Sequence, residues 1–113
     1  MELKIEKQKI KNNEATKFFI KDENKEAGHA WLYIIYNQSG DYYYGLLEDV
    51  YVDDKYRQQG LGTKLVMAII EEAKKNNCHY IMGTSRYSRP HVHKWYEKIG
   101  FKDYGKKFRM DFI

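Results

Sequence analysis

Two glycines with one residue between them, Gly60 and Gly62, follow Arg57 in the stretch YRQQGLGTKL. Strong helix formers come next. Successive amides from Gln58 to Thr63, running into a helix start, could form a nest for phosphate. Helix N-termini leave N–H groups unpaired and carry partial positive charge. The same glycines could equally serve a tight strand-to-helix turn. Two familiar nucleotide motifs are excluded. A Walker loop needs four residues between Gly and Gly-Lys-Ser/Thr, and Gly60 and Gly62 stand too close. A dinucleotide fingerprint needs a third glycine where Leu65 stands.

Other reactive side chains carry weaker signals. Cys78 has only His79 beside it and reads as a buried or incidental thiol rather than a nucleophile. His91 and His93 are two apart, which on a helix puts them on different faces, and no cysteine joins them. No metal is therefore expected. His29 falls inside an apolar strand and reads as a satisfied sheet residue.

The elements that position these groups follow from periodicity. Leu3 and Ile5 alternate with charges over residues 2–10, which predicts a strand with one wet face. NNEA predicts a turn, TKFFIK a second strand and DENKE a tight connection. HAWLYIIY (29–36) and YYYGLLEDVYV (42–52) predict two more strands, separated by NQSGD. The period then changes. Leu61, Leu65, Ile69 and Ala73 fall four apart, with charges between them, predicting an amphipathic helix over 61–75. CHYIMGT predicts a strand. Pro90 opens a second helix carrying Val92, Trp95, Tyr96 and Ile99, and Gly100 stops it. FKDY and KKFRMDFI predict a closing strand pair around Gly105. The order implies one α/β (α+β) domain over 1–113: a mixed, mostly antiparallel twisted sheet of six to seven strands with two main helices. The strand-helix-strand unit requires a right-handed crossover.

The chain has 113 residues, enough for a single domain. Its apolar share is 42%, its aromatic share is 16%, and eleven tyrosines dominate the latter. Formal charge is +4 and is spread along the chain, which disfavours a nucleic-acid partner lacking any basic helix. One cysteine rules out an intrachain disulfide. The opening residues lack a continuous apolar run and nothing is long enough to span a bilayer, so a cytoplasmic protein without a membrane partner is expected.

Beyond these patterns, VYVDDKYRQQGLGTKL resembles the acyl-CoA-binding signature of the GNAT superfamily of N-acetyltransferases. The matching residues are Arg57-x-x-Gly60-x-Gly62, five residues after the strand-ending Val52. Downstream, WYEKIGF resembles the family's second motif, with Tyr96, Gly100 and Phe101 in place. LLEDVYV is similar to polyamine-type and other small-amine members. The resemblance covers residues 42–113. It implies acetyl-CoA as cosubstrate, held by Val50, Val52, Arg57, Gln58, Gln59, Gly60, Gly62, Thr63 and Arg89. Lys55 and Lys64 could reach its phosphates. Three departures stand out. Arg89 replaces the usual Asn, and Val92 replaces a small residue. KNNEAT stands where the family inserts two helices, so the acceptor side should be open or completed by a partner chain in a homodimer.

The implied chemistry is attack by an amine on acetyl-CoA in a ternary complex. The acceptor would be a small amine, a polyamine, or a protein lysine or N-terminus. An alkyl ammonium with a pKa of about 10.4 must first lose a proton. Glu48 is the leading base. Period two places it on the face of Val50 and Val52, among leucines that would desolvate it. Asp49 is expected on the opposite face, as the runner-up base or an ammonium anchor. The resemblance makes Tyr96 the acid for the leaving thiolate. It also implies a strand bulge near Val50 whose N–H meets the oxyanion. A module that binds acyl-CoA as sensor or scaffold without efficient catalysis is the alternative.

Overall fold

A computed structural model describes residues 13–113. The strand expected over residues 2–10 lies outside them. Strand β1 runs Asn13–Asp22, β2 Lys25–Asn37 and β3 Tyr42–Val52. A 3-10 turn, Asp54–Tyr56, precedes helix α1, Leu61–Lys75. Then come β4, Cys78–Met82, and α2, Pro90–Ile99.

The first three strands form an antiparallel meander, because their connections are too short for crossovers. Residues 23–24 turn β1 into β2, with Glu23 at φ 56°. Between β2 and β3, the Asp41 amide donates to the Asn37 carbonyl at 2.8 Å, and the Asn37 side chain accepts from Gly40 N–H at 2.8 Å. Such side-chain-to-backbone bonds are why Asn and Asp favour turns. Helix α1 carries the chain across the sheet, and β4 returns parallel to β3. The sheet order is β1-β2-β3-β4.

The core lies between the sheet and α1. Ala30, Leu32 and Ile34 project from β2 and Leu47 from β3 onto Leu65, Val66, Ile69 and Ala73 of α1. Leu32, Val66 and Ile69 are fully buried, each contributing about 1.5–3 kcal/mol of transfer free energy. Gly45 lets this layer close. A Cβ there would stand 3.1 Å from Leu32 Cδ1 and 3.6 Å from Ala73 Cβ. Trp95, Tyr96 and Ile99 of α2, with Phe101, pack against the same cluster. Both helices therefore cover one face of the sheet. Alternation sends Trp31, Tyr33, Ile35 and Leu46 to the other face.

Three sequence expectations require correction. The NNEA stretch is not a turn from Asn13 onward. Asn13 pairs with Ile35 and Ala15 with Tyr33, and tertiary pairing overrides the local preference of Asn. The described sheet has four strands rather than six or seven. Residues 101–113 form no strand pair, although Phe108, Met110 and Phe112 alternate with charges. Alternation supplies a strand's two faces, but the ladder also needs a neighbouring strand to bond with.

Candidate functional site

The site begins where β3 and β4 part. Their parallel pairing ends at Leu46↔Met82, while β3 runs on to Val52. A wedge-shaped gap opens between the second half of β3 and the segment after β4. At its base a Cβ on Gly83 would stand 3.5 Å from both the Leu47 side chain and the Tyr96 ring.

A bulge in β3 sets which side chains face which way. Trp31 pairs with Glu48 and His29 with Tyr51, so Asp49 and Val50 together stand opposite Ala30. Asp49 takes φ 52°, a conformation that Asp tolerates better than most residues. The extra residue shifts the alternation. Val50 packs against the core, and the Val52 side chain lies at the start of α1, 3.8 Å from a Cβ placed on Gly62. Glu48 does not share their face, as strict period two predicted. Nor does Asp49 oppose Glu48. Both carboxylates line one open groove of about 410 Å³, with Trp31, Tyr33, Ile35 and Leu46. Glu48 is also exposed rather than desolvated, since Leu47 turns into the core and Leu46 lines the groove floor.

One feature of the groove had no clear signal in the sequence. His29 bonds the Asp49 carboxylate through Nε2 and the Glu26 carboxylate through Nδ1, both at 2.9 Å. It is the satisfied sheet histidine expected, but it also fixes Asp49. The hydrogen bond that His29 donates to Glu26 raises the His29 pKa most. Burial opposes the rise, and the bond to Asp49 adds to it. Only the bulge brings Asp49 within its reach. Trp31, Tyr33 and Ile35 were legible in principle, being spaced by two along HAWLYIIY.

The glycine loop lies at the other end of the gap. Gln58 (φ 65°) and Gly60 (φ 77°) turn the chain into α1. Gly60 is the N-cap, makes no side-chain cap bond, and has no atom within 4 Å of a would-be Cβ. No acidic residue stands in the first turn. The amides of Leu61, Gly62 and Thr63 have no partner within the helix, and the positive end of the helix dipole lies there. Arg57 is used differently from a free phosphate clamp. Its Nε donates to the Val52 carbonyl at 2.9 Å and its Nη1 pairs with Asp54 at 2.7 Å, which ties the loop to β3. Thr63 Oγ1 accepts from Trp95 Nε1 at 2.9 Å, tying α2 to the start of α1. Gln59 is exposed in the loop.

Tyr96 is half-buried between the Trp95 and Phe101 rings, with centroids 5.0 and 5.1 Å away. Burial pushes its pKa up. The Arg89 cation at the α2 N-cap pulls it down, and the Glu48 anion pushes it up again. The hydroxyl thus keeps its proton at neutral pH, within electrostatic reach of the groove carboxylate. Burial likewise raises the Cys78 thiol pKa, which opposes nucleophilic use. His93 Nε2 lies 2.7 Å from the Arg86 carbonyl. Among the described residues no three His, Cys, Asp or Glu side chains converge as metal ligands, and no helix is long and apolar enough to cross a membrane.

The chain is similar to known proteins in sequence and in fold. The sequence model described as the acetyltransferase (GNAT) family matches residues 1–101. Glucosamine 6-phosphate N-acetyltransferase from Trypanosoma brucei brucei is 38% identical over 68 residues, covering 59% of this chain. The matched part spans 44% of that relative's length. A putative acetyltransferase from Agrobacterium tumefaciens superposes with a TM-score of 0.80 at 28% identity, over 86% of this chain and 68% of the other. A structure described as a transcriptional regulator from Bacillus halodurans gives 0.80 at 30% identity, over 92% and 69%. The glucosamine-6-phosphate N-acetyltransferase of Arabidopsis thaliana gives 0.79 at 22% identity over 88% and 67%, a likeness of fold. With its glycine loop, split strands and matching family pattern, the chain belongs to the acetyltransferase (GNAT) family.

Proposed function

We propose that the protein transfers an acetyl group from acetyl-CoA to the primary amine of a small acceptor. The observation that carries this reading is the arrangement along β3: two carboxylates in an aromatic groove at its bulge, and open helix amides where it ends. The residues present fit the cosubstrate. The Gly60 cradle is clear of side chains, and the first turn of α1 holds no anion to repel a diphosphate. Amides from Gln58 to Thr63 would hold the diphosphate. Val50 and Val52 would present the β3 backbone to the pantetheine arm, and Arg89 adds positive charge near the gap. Arg57 contributes by holding the loop in shape.

When bound, acetyl-CoA supplies an activated thioester. Everything else falls to the chain. Trp31 and Tyr33 offer ring faces, and Glu48 and Asp49 offer negative charge, to an ammonium-bearing acceptor. Glu48 removes the proton, directly or through water. Its exposure suits access by the acceptor. The backbone N–H at Val50, beside the bulge, donates to the developing oxyanion. The Tyr96 hydroxyl, kept protonated by burial, donates to the leaving sulfur. Asp49, fixed by His29, anchors the acceptor.

An amino sugar phosphate is the first acceptor to try, on the strength of the Trypanosoma relative's name. Polyamines and peptide N-termini are the comparison set. A thiol-release assay across these amines tests the reading. Amine-dependent release supports it. Tight acetyl-CoA binding without release by any amine would favour a sensor or scaffold module instead.

A further inference from the structure

The sheet face that holds the carboxylate groove continues beyond it. Leu46, Tyr44 and Tyr42 fall two apart on β3, so all three project to the side away from the helices. β2 sets Tyr33, Ile35 and Asn37 directly opposite them. From β4, Tyr80 stacks on Tyr44, with ring centroids 5.1 Å and planes 15° apart, and His79 stacks on Tyr42 at 4.6 Å and 5°. Tyr80 and Met82 remain 43% and 42% exposed. A track of rings therefore leads from Glu48 to Tyr42, about 20 Å along the strand.

Negative charge is confined to one end of this track. Glu48 and Asp49 line the groove, and neither lysine nor arginine does. Lys17, paired opposite Trp31, is held by Glu26 at 2.6 Å. Arg89 caps α2, which packs on the opposite face of the sheet. From Leu46 to Tyr42 the track carries no acid. These features discriminate between acceptors. A phosphorylated sugar would set its phosphate against two carboxylates. A polyamine would leave its distal cations without a carboxylate. An extended peptide would lay its backbone N–H and C=O groups on rings, since a sheet face offers no edge to pair with. A pyranose chain meets no such penalty. Its C–H faces lie on aromatic rings, and its rim hydroxyls reach water or the tyrosine hydroxyls.

We propose that the acceptor is an unphosphorylated amino sugar at the end of a neutral oligosaccharide. Its ammonium sits at Glu48 and Asp49, and the following rings lie along Tyr33, Tyr44 and Tyr80. This names the acceptor class of the groove and rests on the acetyl-transfer reading above. The sugar nitrogen bonds the acetyl carbon as the C–S bond breaks. Of the two protons the ammonium gives up, one passes through Glu48 to water and one leaves on the coenzyme sulfur.

Thiol release is measured with glucosamine, glucosamine 6-phosphate and an N-acetylglucosamine tetrasaccharide bearing one free amine on a terminal ring. The tetrasaccharide should exceed glucosamine in kcat/KM by about tenfold, and the phosphate should fall below glucosamine. Tyr44→Ala and Tyr80→Ala should cancel the gain with length and leave the glucosamine rate unchanged. Tyr80 stands outside the core, so its removal leaves the fold intact. Equal rates for tetrasaccharide and glucosamine, a phosphate sugar that outperforms both, or a length gain that survives Tyr80→Ala overturns the proposal while acetyl transfer stands. If no amine discharges acetyl-CoA, the acetyl-transfer reading fails, and calorimetry decides the track by itself. The tetrasaccharide should bind about tenfold tighter than glucosamine to the wild type and no tighter to Tyr80→Ala, and equal affinities in the wild type overturn the proposal.

Discussion

The two ends of β3 are built on different principles. At its C-terminal end, the glycine loop and the start of α1 offer backbone: amides, a helix dipole and a cradle with no side chain in it. At the bulge, the groove offers side chains: Glu48, Asp49, Trp31 and Tyr33. A site made of backbone tolerates most side-chain changes but not a change of φ. A site made of side chains responds to single atoms. The donor end should therefore break through conformation and the acceptor end through chemistry, and substitutions can separate the two.

The largest effect expected is at the acceptor end. Glu48→Gln should lower kcat about 1,000-fold, within the usual range for a lost general base, while the acetyl-CoA Kd from calorimetry changes less than about twofold. Equal losses in both would mean that the two ends are not separate. Tyr96→Phe comes next, with a fall in kcat of about 100-fold and unchanged cosubstrate affinity, read in the same assays. At the donor end, Gly60→Val should weaken acetyl-CoA binding about tenfold. It forces a side chain onto φ 77°, a strain of about 1–2 kcal/mol. Its effect on kcat at saturating cosubstrate should be small.

The smallest effect sharpens the comparison through pH. The raised His29 pKa means that its contribution is fully present below the unfolded value of about 6.5 and is lost as pH rises through the folded value. Glu26, lowered mainly by its hydrogen bond from Lys17 and then by that from His29, contributes above the unfolded carboxylate value and loses this as pH falls through its folded value. Denaturant midpoints should therefore favour the wild type over His29→Gln at pH 6 and converge by pH 9, by less than about 1 kcal/mol. KM for the amine should rise in the variant while the acetyl-CoA Kd stays put.

The same division explains what could be read beforehand. The strand at 42–52 and the helix at 61–75 match their expected bounds, because each carries a full period closed by local signals: NQSGD before the one, Gly60 and Asn76 around the other. The turn into α1 was legible for the same reason, since the glycine at 60 takes φ 77° without the strain a side chain would bring. The groove was not. The family resemblance put a strand bulge near Val50, where it stands, but strict period two was still carried through it: one extra residue at Asp49 reverses the alternation after Glu48, so the faces of Glu48 and Asp49 were misjudged. The His29–Asp49 contact spans twenty residues of sequence and exists only once β2 and β3 are in register. The closing strand pair expected around Gly105 does not form: residues 107–112 alternate apolar and charged side chains, but alternation alone supplies no neighbouring strand to bond with.

Amine-dependent thiol release by the wild-type chain with saturating acetyl-CoA, across amino sugar phosphate, polyamine and peptide acceptors, is the most direct test of acetyl transfer. At least one amine is expected to raise the rate far above background hydrolysis, with saturation in that amine. Bound acetyl-CoA that no amine discharges would contradict it.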